Sequence, residues 1–177
     1  PANRSSSPRC YPTGHMLRLI ERKLPAPLHR LALRIIFPLR HQWRRWRKVP
    51  IVGCNIILTD FQGDLLLLKH SYGPQDWLLP GGGVDRGEHP ADAASRELKE
   101  ELGLETKKLT PIGELEGEIS GSPHTMYLFA AVIDKQPRPD NREVTEARFF
   151  PTHSLPQPLG VSTRRALSHW KEVRGRT

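Results

Sequence analysis

The sequence predicts an α/β fold from residue 50 onward. Runs rich in β-branched and aliphatic residues recur from residue 50 onward, and a long segment of good helix formers follows a glycine-rich loop. An amphipathic segment then closes the fold. The length of 177 residues and the hydrophobic content of 37% suit one domain with a single core.

The positive charge is concentrated at the N-terminal end. The net charge is +8, yet residues 1–50 contain 12 basic residues and one acidic residue, Glu21, so the remaining residues are slightly acidic. This distribution disfavours a nucleic-acid-binding surface that extends over the whole domain.

Cysteine content and hydropathy indicate the compartment. Two cysteines, Cys10 and Cys54, are too few for a disulfide framework or a zinc site of the usual spacing. No apolar stretch approaches the roughly 20 residues that span a bilayer, and the first residues lack the order of a secretory signal. We therefore expect a cytoplasmic protein.

Two N-terminal segments differ in composition. Residues 1–15 are rich in Ser and Pro and predict a tag or a disordered leader. Residues 16–49, which we call the N-terminal arm, interleave apolar residues with ten Lys and Arg side chains. The prolines of the arm predict two short amphipathic helices, followed by an aromatic and basic segment at residues 41–48.

Three functions of the arm are open. Its apolar face can pack on the domain or on a second protomer in a homodimer, with the arginines in solvent. Residues 17–49 can instead attach to an anionic membrane surface, because interfacial helices combine basic residues with Trp and Leu. The third alternative is nucleic-acid binding, since basic and aromatic side chains also contact phosphates and bases.

The strands are predicted from short apolar runs. Residues 51–59 and 65–69 flank the turn composition of residues 60–64 and predict a hairpin. The glycine run at residues 80–83 predicts a break in regular structure.

The second half of the chain predicts a similar alternation. Residues 109–119 and 124–133 read as two strands, a short strand ends near residue 150, and Ser162 caps a final helix that runs to Val173. The first of these strands places three carboxylates on one face, which we interpret as outward-facing rather than part of a site: Glu114, Glu116 and Glu118.

A helix is predicted from Pro90 to just before Gly103. Helical spacing places Glu97, Glu100 and Glu101 on one face of it. Like charges three and four residues apart, near the C-terminal end of a helix, are unfavourable as structure alone. A bound divalent cation with oxygen ligands removes both objections.

Beginning at Gly82, the residues follow the pattern G-x5-E-x7-R-E-U-x-E-E-x-G-U, in which U is aliphatic. This pattern resembles the signature of the Nudix hydrolase family, whose members are MutT-like. The resemblance implies a Nudix-type α/β/α sandwich with a mixed β-sheet for residues 50–177. The positions that match are Gly82, Glu88, Arg96, Glu97, Leu98, Glu100, Glu101, Gly103 and Leu104.

The resemblance also implies a catalytic set and a metal site. Mg²⁺, with Mn²⁺ as a possible substitute, would be bound by three carboxylates and by a backbone carbonyl of Gly81 or Gly82. Arg96 would pair with Glu88 and hold the loop against the helix, and helical spacing allows this contact. The implied catalytic residues are Glu88, Arg96, Glu97, Glu100 and Glu101.

The implied reaction is hydrolysis of the pyrophosphate linkage in a nucleoside diphosphate that is joined to another moiety X, in the nucleotide or nucleotide-sugar class. Glu97 is the first candidate for the general base, and Glu143 is the second. Tyr72 and Trp77 are candidates for stacking on a nucleobase, although packing in the core explains each equally well.

Two further hypotheses come from single residues and from the arm. His70, His124 and Arg142 are candidates for phosphate contacts, each supported only by residue type. The alternative to an enzyme is a binding or regulatory module of the same fold that docks on a membrane or on nucleic acid through its arm.

Overall fold

The computed structural model describes residues 25, 27, 28, 30–36, 50–106, 108–119 and 121–175. The strands within these residues are β1 (Ile51–Thr59), β2 (Leu65–His70), β3 (Gly81–Gly83), β4 (Thr110–Ile119), β5 (Ser122–Val132) and β6 (Val144–Phe150). The domain helices are α1 (Pro90–Leu102) and α2 (Val161–Arg174). Residues 30–36 of the arm are also helical.

The strands form one mixed sheet in the order β4-β5-β1-β2-β6, with β3 paired to β1 outside this path. β1 and β5 run parallel from Ile51 and His124 to Thr59 and Val132. All other strand pairs in the sheet are antiparallel. The predicted α/β fold with a mixed sheet is confirmed.

Both faces of β1 and β2 are largely buried, which explains why these strands read as continuous apolar runs. Alternate side chains point to opposite faces, so β1, β2, β5 and β6 each contribute to two apolar layers. The layer beneath α1 includes Ile56, Leu58, Leu66, Leu68, Leu98 and Leu102. The layer beneath α2 includes Ile57, Leu65, Leu67, Trp77, Leu167 and Trp170.

The glycine run differs from its prediction. Gly81–Gly83 forms strand β3, which pairs with residues 53–55 of β1, rather than a break in regular structure. A Cβ atom on Gly81 would lie 2.1 Å from the carbonyl oxygen of Cys54, so the two backbones are closer than a side chain allows. The glycines therefore permit close strand pairing at this position.

Two smaller predictions at the element ends are corrected. Helix α2 begins at Val161 after Gly160, so Ser162 lies inside the helix and is not its N-cap. Strand β5 begins at Ser122, because the turn before it is shorter than its composition predicts. The outward orientation of Glu114, Glu116 and Glu118 on β4 is confirmed, since all three are exposed.

Only part of the arm lies within the described residues. The leader at residues 1–15, the first predicted arm helix and the segment at residues 41–48 lie outside them. In the described part, Leu33 is buried whereas Leu28, Leu31 and Ile35 are more than half exposed, so only part of the predicted apolar face is covered. Membrane attachment and self-association through residues 17–49 stay predictions.

None of the helices in the described part of the chain combines the length and the apolar composition needed to cross a membrane.

Candidate active site

The residues that flank helix α1 cap both of its ends. The Nδ1 atom of His89 accepts a hydrogen bond from the backbone N–H of Ala91 at 3.3 Å, so an imidazole caps the helix where a shorter polar residue is more common. Gly103 has a left-handed φ of 63°, and its N–H donates to the carbonyl of Lys99. These caps fix the position of the helix between them. We call the side of α1 that bears Glu97, Glu100 and Glu101 the carboxylate face.

The guanidinium of Arg96 connects α1 to the loop before it. Its Nε and Nη2 atoms donate to the two carboxylate oxygens of Glu88 at 2.8 and 3.0 Å, and Nη2 also donates to the carbonyl of Gly83. Its Nη1 atom donates to Glu97 at 2.7 Å and lies 3.4 Å from a carboxylate oxygen of Glu100. The predicted contact between Arg96 and Glu88 is therefore present.

The neighbouring carboxylates keep the Arg96 guanidinium protonated. Burial lowers the pKa of Arg96, but the hydrogen bond to Glu88 and the charge of Glu97 outweigh it, so the pKa is raised overall. The arginine thus remains positive and holds three carboxylates that would otherwise repel one another.

The carboxylate of Glu97 lies against the glycine strand. A Cβ atom on Gly82 would lie 2.5 Å from the Glu97 carboxylate, which is a closer approach than real Cβ atoms show. Glu97 is only 8% exposed. The backbone of β3 and the carboxylate face of α1 therefore form one continuous surface.

Glu101 lies one turn further along α1 and is 5% exposed. One carboxylate oxygen lies 3.2 Å from Nε2 of His70, and the other accepts a hydrogen bond from the N–H of Gly81 at 3.1 Å. Burial raises the pKa of Glu101, although the contacts with His70 and Gly81 oppose part of this effect. His70 is a candidate phosphate contact in the sequence, and in the structure it contacts the carboxylate of Glu101.

The charge on Glu101 also acts on its partner. Burial lowers the pKa of His70, but the hydrogen bond and the charge of Glu101, together with Glu143 and Asp140, raise it by more. His70 is therefore protonated more readily than a free histidine.

Tyr72 and Glu143 lie beside this pair. The Tyr72 hydroxyl donates to Oε2 of Glu143 at 3.3 Å, and the Tyr72 ring stacks on His70 with ring centroids 5.1 Å apart. Burial raises the pKa of Glu143, and the charge of Glu101 raises it further. The structure therefore brings both predicted residues, Tyr72 and Glu143, to the edge of the carboxylate face.

A short loop holds Glu143 in place, and the sequence interpretation did not include the residues that shape it. The carboxylate of Asp140 accepts hydrogen bonds from the backbone N–H groups of Arg142, Glu143 and Val144. The Ser71 hydroxyl donates to the carbonyl of Arg142, and the Ser71 N–H donates to the carbonyl of Glu143, both at 2.7 Å. An Asp before a strand is a signal for such a loop, because its side chain bonds the backbone ahead.

Trp77 does not belong to this site. It is 6% exposed and lies in the apolar layer beneath α2, across the sheet from α1. Its ring contacts Phe150 edge to face at 4.8 Å, and Nζ of Lys69 lies 4.5 Å from the ring centre. The prediction that Trp77 contacts the substrate is corrected, because a residue on the buried opposite face cannot stack on a ligand at α1.

The side chains of the site bear on whether it can hold a metal ion. In the described part of the chain, no three His, Cys, Asp or Glu side chains converge into a ready-made metal-binding group. Basic side chains contact the carboxylates instead, since Arg96 approaches Glu97 and Glu100 and His70 approaches Glu101. The chemistry still fits a hard divalent cation, because oxygen donors from one helical face lie beside glycine backbone.

A family model described as the NUDIX domain matches residues 49–171. The crystal structure of a MutT NUDIX hydrolase from Burkholderia pseudomallei is 31% identical, has a TM-score of 0.62, and aligns over 68% of this chain and 97% of its own. The family match covers more than half of the sequence, so the chain belongs to the Nudix family.

Curated relatives are similar over shorter regions. Diphosphoinositol polyphosphate phosphohydrolase 2 of Rattus norvegicus is 31% identical over 81 residues, which is 46% of this chain and 44% of the relative. An RNA pyrophosphohydrolase of Rhodospirillum rubrum is 37% identical over 65 residues, which is 37% of this chain and 38% of the relative. The chain thus spans less than half the length of both relatives.

Proposed function

We propose that the protein is a metal-dependent hydrolase that cleaves the pyrophosphate linkage of a nucleoside diphosphate joined to another moiety X, with Mg²⁺ as the working ion and Mn²⁺ as a substitute. The observation that carries the proposal is the carboxylate face of α1, which Arg96 holds beside the glycine strand. Family membership supports it, because Nudix hydrolases generally use divalent metals, and two similar proteins are named phosphohydrolase and pyrophosphohydrolase.

Glu97, Glu100 and Glu101, with a backbone carbonyl of Gly81 or Gly82, would hold the cation. When bound, a divalent cation screens the phosphate charges and lowers the pKa of an attacking water. The chain itself supplies orientation, since the N–H of Gly81 fixes one oxygen of Glu101 and close packing against Gly82 fixes Glu97. Preorganised ligands of this kind cost little rearrangement during the reaction.

Glu143 is the residue that we infer to accept the proton of the attacking water. Its raised pKa makes it a stronger base than an ordinary carboxylate, and Tyr72 holds one of its oxygens. Glu97, the first candidate from the sequence, has an oxygen that accepts a 2.7 Å hydrogen bond from Arg96. This contact suits Glu97 to metal binding better than to proton transfer.

The experiment is a panel of nucleotides, nucleotide sugars and dinucleotides, assayed for phosphate-containing products with Mg²⁺, with Mn²⁺ and with a chelator. We expect turnover of one substrate class that requires a metal and stops in the chelator. A folded protein that binds Mn²⁺ but leaves the whole panel intact would contradict hydrolysis of these substrates. Turnover that continues in excess chelator would contradict the metal dependence.

A further inference from the structure

Two arginines of the N-terminal arm contact the main chain at the edge of the candidate active site. The Nε and Nη2 atoms of Arg30 both donate to the carbonyl oxygen of Asn141, at 3.0 and 2.6 Å. The Nε atom of Arg34 donates to the carbonyl oxygen of Ser71 at 3.3 Å. The arm therefore joins two segments that lie far from it in sequence.

The two acceptor carbonyls belong to the segments that carry the side chains beside the carboxylate face. Ser71 lies between His70 and Tyr72, where β2 ends, and the register of β2 with β6 shifts between Lys69 and His70. Regular hydrogen bonding between the strands therefore constrains the backbone less at this point.

The second segment is also irregular. Asn141 has a left-handed φ of 57° and lies two residues before Glu143, ahead of the start of β6. Backbone groups near such strand ends need partners from outside the ladder. Arg30 and Arg34 supply hydrogen bonds of this kind, and charged donors make them stronger than neutral ones.

The face of the arm helix that points to the domain is defined by these arginines. Arg30 and Arg34 are four residues apart and lie on the same side of the helix, with Leu33 between them and 7% exposed. The other side presents exposed Leu31 and Ile35. Polar contacts with the strand ends, rather than a broad apolar interface, therefore orient the described part of the arm.

We propose that Arg30 and Arg34 are positioning residues, which hold the segments around Ser71 and Asn141 so that Tyr72 and Glu143 keep their places for turnover. This inference rests on the proposed function, because turnover is the property that the positioning serves. The two segments already contact each other through Ser71 and Glu143, so the arginines reinforce an existing junction from outside.

The test compares two double variants of the full chain. Arg30→Ala with Arg34→Ala removes the contacts, whereas Leu31→Ala with Ile35→Ala alters the exposed side of the same helix. Hydrogen exchange is measured at the backbone amides of Ser71 and Glu143, and kcat and KM are measured with the substrate and metal that the panel identifies.

In the arginine variant we expect amide exchange at these two positions to accelerate about tenfold or more, as local opening becomes easier. We expect kcat to fall about tenfold with KM within about twofold, a loss typical of residues that orient catalytic groups. Melting temperature and exchange within β1 and β5 stay at wild-type values. The leucine and isoleucine variant keeps wild-type exchange and kcat.

Wild-type exchange and kcat in the arginine variant would overturn the proposal, as would an equal loss in both double variants. If the arginine variant does not fold, Arg30→Lys and Arg34→Lys, which keep the charge but lose the Nε–H donors, are measured in its place with the same expected direction. If the wild-type protein hydrolyses nothing, the proposed function fails. The exchange rates then still decide whether the arginines order the two segments.

Discussion

The candidate site has two sides that are built in different ways. On the signature side, Arg96 contacts Glu88, Glu97 and the carbonyl of Gly83, all of which lie within 14 residues of one another in the chain. On the strand-end side, contacts connect residues 70–72 with residues 140–143, which are about 70 residues apart. Glu101 belongs to the signature and contacts His70 on the other side.

This difference determines what each side depends on. The signature side depends on helical spacing and on glycines that allow close approach, so local sequence specifies it. The strand-end side depends on the pairing of β2 with β6 and on loop contacts, so it exists only after the sheet has formed. Variants on the two sides should therefore differ in how they change turnover, metal affinity and stability.

The largest loss is expected on the signature side. Glu100→Gln and Glu101→Gln remove a negative charge while keeping the side-chain shape, and we expect turnover to fall on the order of 10³-fold in each. Initial rates over a range of Mg²⁺ concentrations measure this effect. Glu114→Gln, an exposed carboxylate on β4, is the control, and wild-type turnover in both signature variants would contradict the assigned roles.

A variant on the strand-end side should lower kcat while leaving the metal affinity unchanged. We expect Glu143→Gln to lower kcat on the order of 10²-fold, because it removes the inferred proton acceptor. Metal affinity should stay within about twofold of wild type, since Glu143 is not among the inferred ligands, whereas Glu97→Gln should weaken metal binding as well. Paired measurements of kcat and Mn²⁺ affinity distinguish them, and weakened binding in Glu143→Gln would place it among the ligands.

Removal of the guanidinium should combine instability with loss of activity. Arg96→Met leaves Glu88, Glu97 and Glu100 without their shared cation, so we expect about 2 kcal/mol less stability in chelator and turnover reduced by some tens of fold. Saturating Mg²⁺ should restore part of the stability, because a bound cation offsets the same repulsion. Urea unfolding with and without Mg²⁺ measures this, and an unchanged midpoint would argue against the role of Arg96.

Two neighbouring glycines provide a matched pair. Gly82→Ala places a methyl group against the Glu97 carboxylate, so we expect turnover to fall about tenfold with a weaker metal affinity. Gly83→Ala should be nearly neutral, because apart from Gly83 itself and its two chain neighbours no heavy atom of the described residues lies within 4 Å of the added Cβ. Equal kinetics in the two variants would show that close packing on Glu97 is unimportant.

The smallest expected effect concerns pH. The pKa of His70 is raised above its ordinary value of 6.5, so the stability from the protonated ring is fully present below 6.5 and is lost as pH rises through the folded-state pKa. In chelator, we expect His70→Gln to cost about 1 kcal/mol at pH 6 and less at pH 9. The exposed His153→Gln variant is the control, and a cost that grows with pH would have the wrong sign.

The sequence predicted most of the sheet and the signature side, because both depend on short-range patterns. Apolar runs with turn residues located β1 and β2, and helical spacing located the face of Glu97, Glu100 and Glu101. The glycine strand is not predictable from sequence, because a glycine run usually marks a break, whereas in this fold it allows two backbones to approach each other.

The strand-end side could be predicted only as unconnected candidates. Tyr72, His70 and Glu143 were each recognisable as polar or aromatic residues, but nothing local shows that β2 and β6 bring them together. The same limit explains Trp77, since one residue step along a strand moves a side chain to the opposite face. The contacts of Arg30 and Arg34 depend on strand ends far away in sequence.

The measurement that tests the central claim most directly is a titration with Mn²⁺ in which electron paramagnetic resonance monitors binding. It compares the wild type with the Glu97→Gln, Glu100→Gln and Glu101→Gln variants. The carboxylate face predicts saturable binding in the wild type and an affinity at least about tenfold weaker in each variant, with Glu114→Gln unchanged. Wild-type affinity in all three signature variants would contradict a metal site on this face of α1.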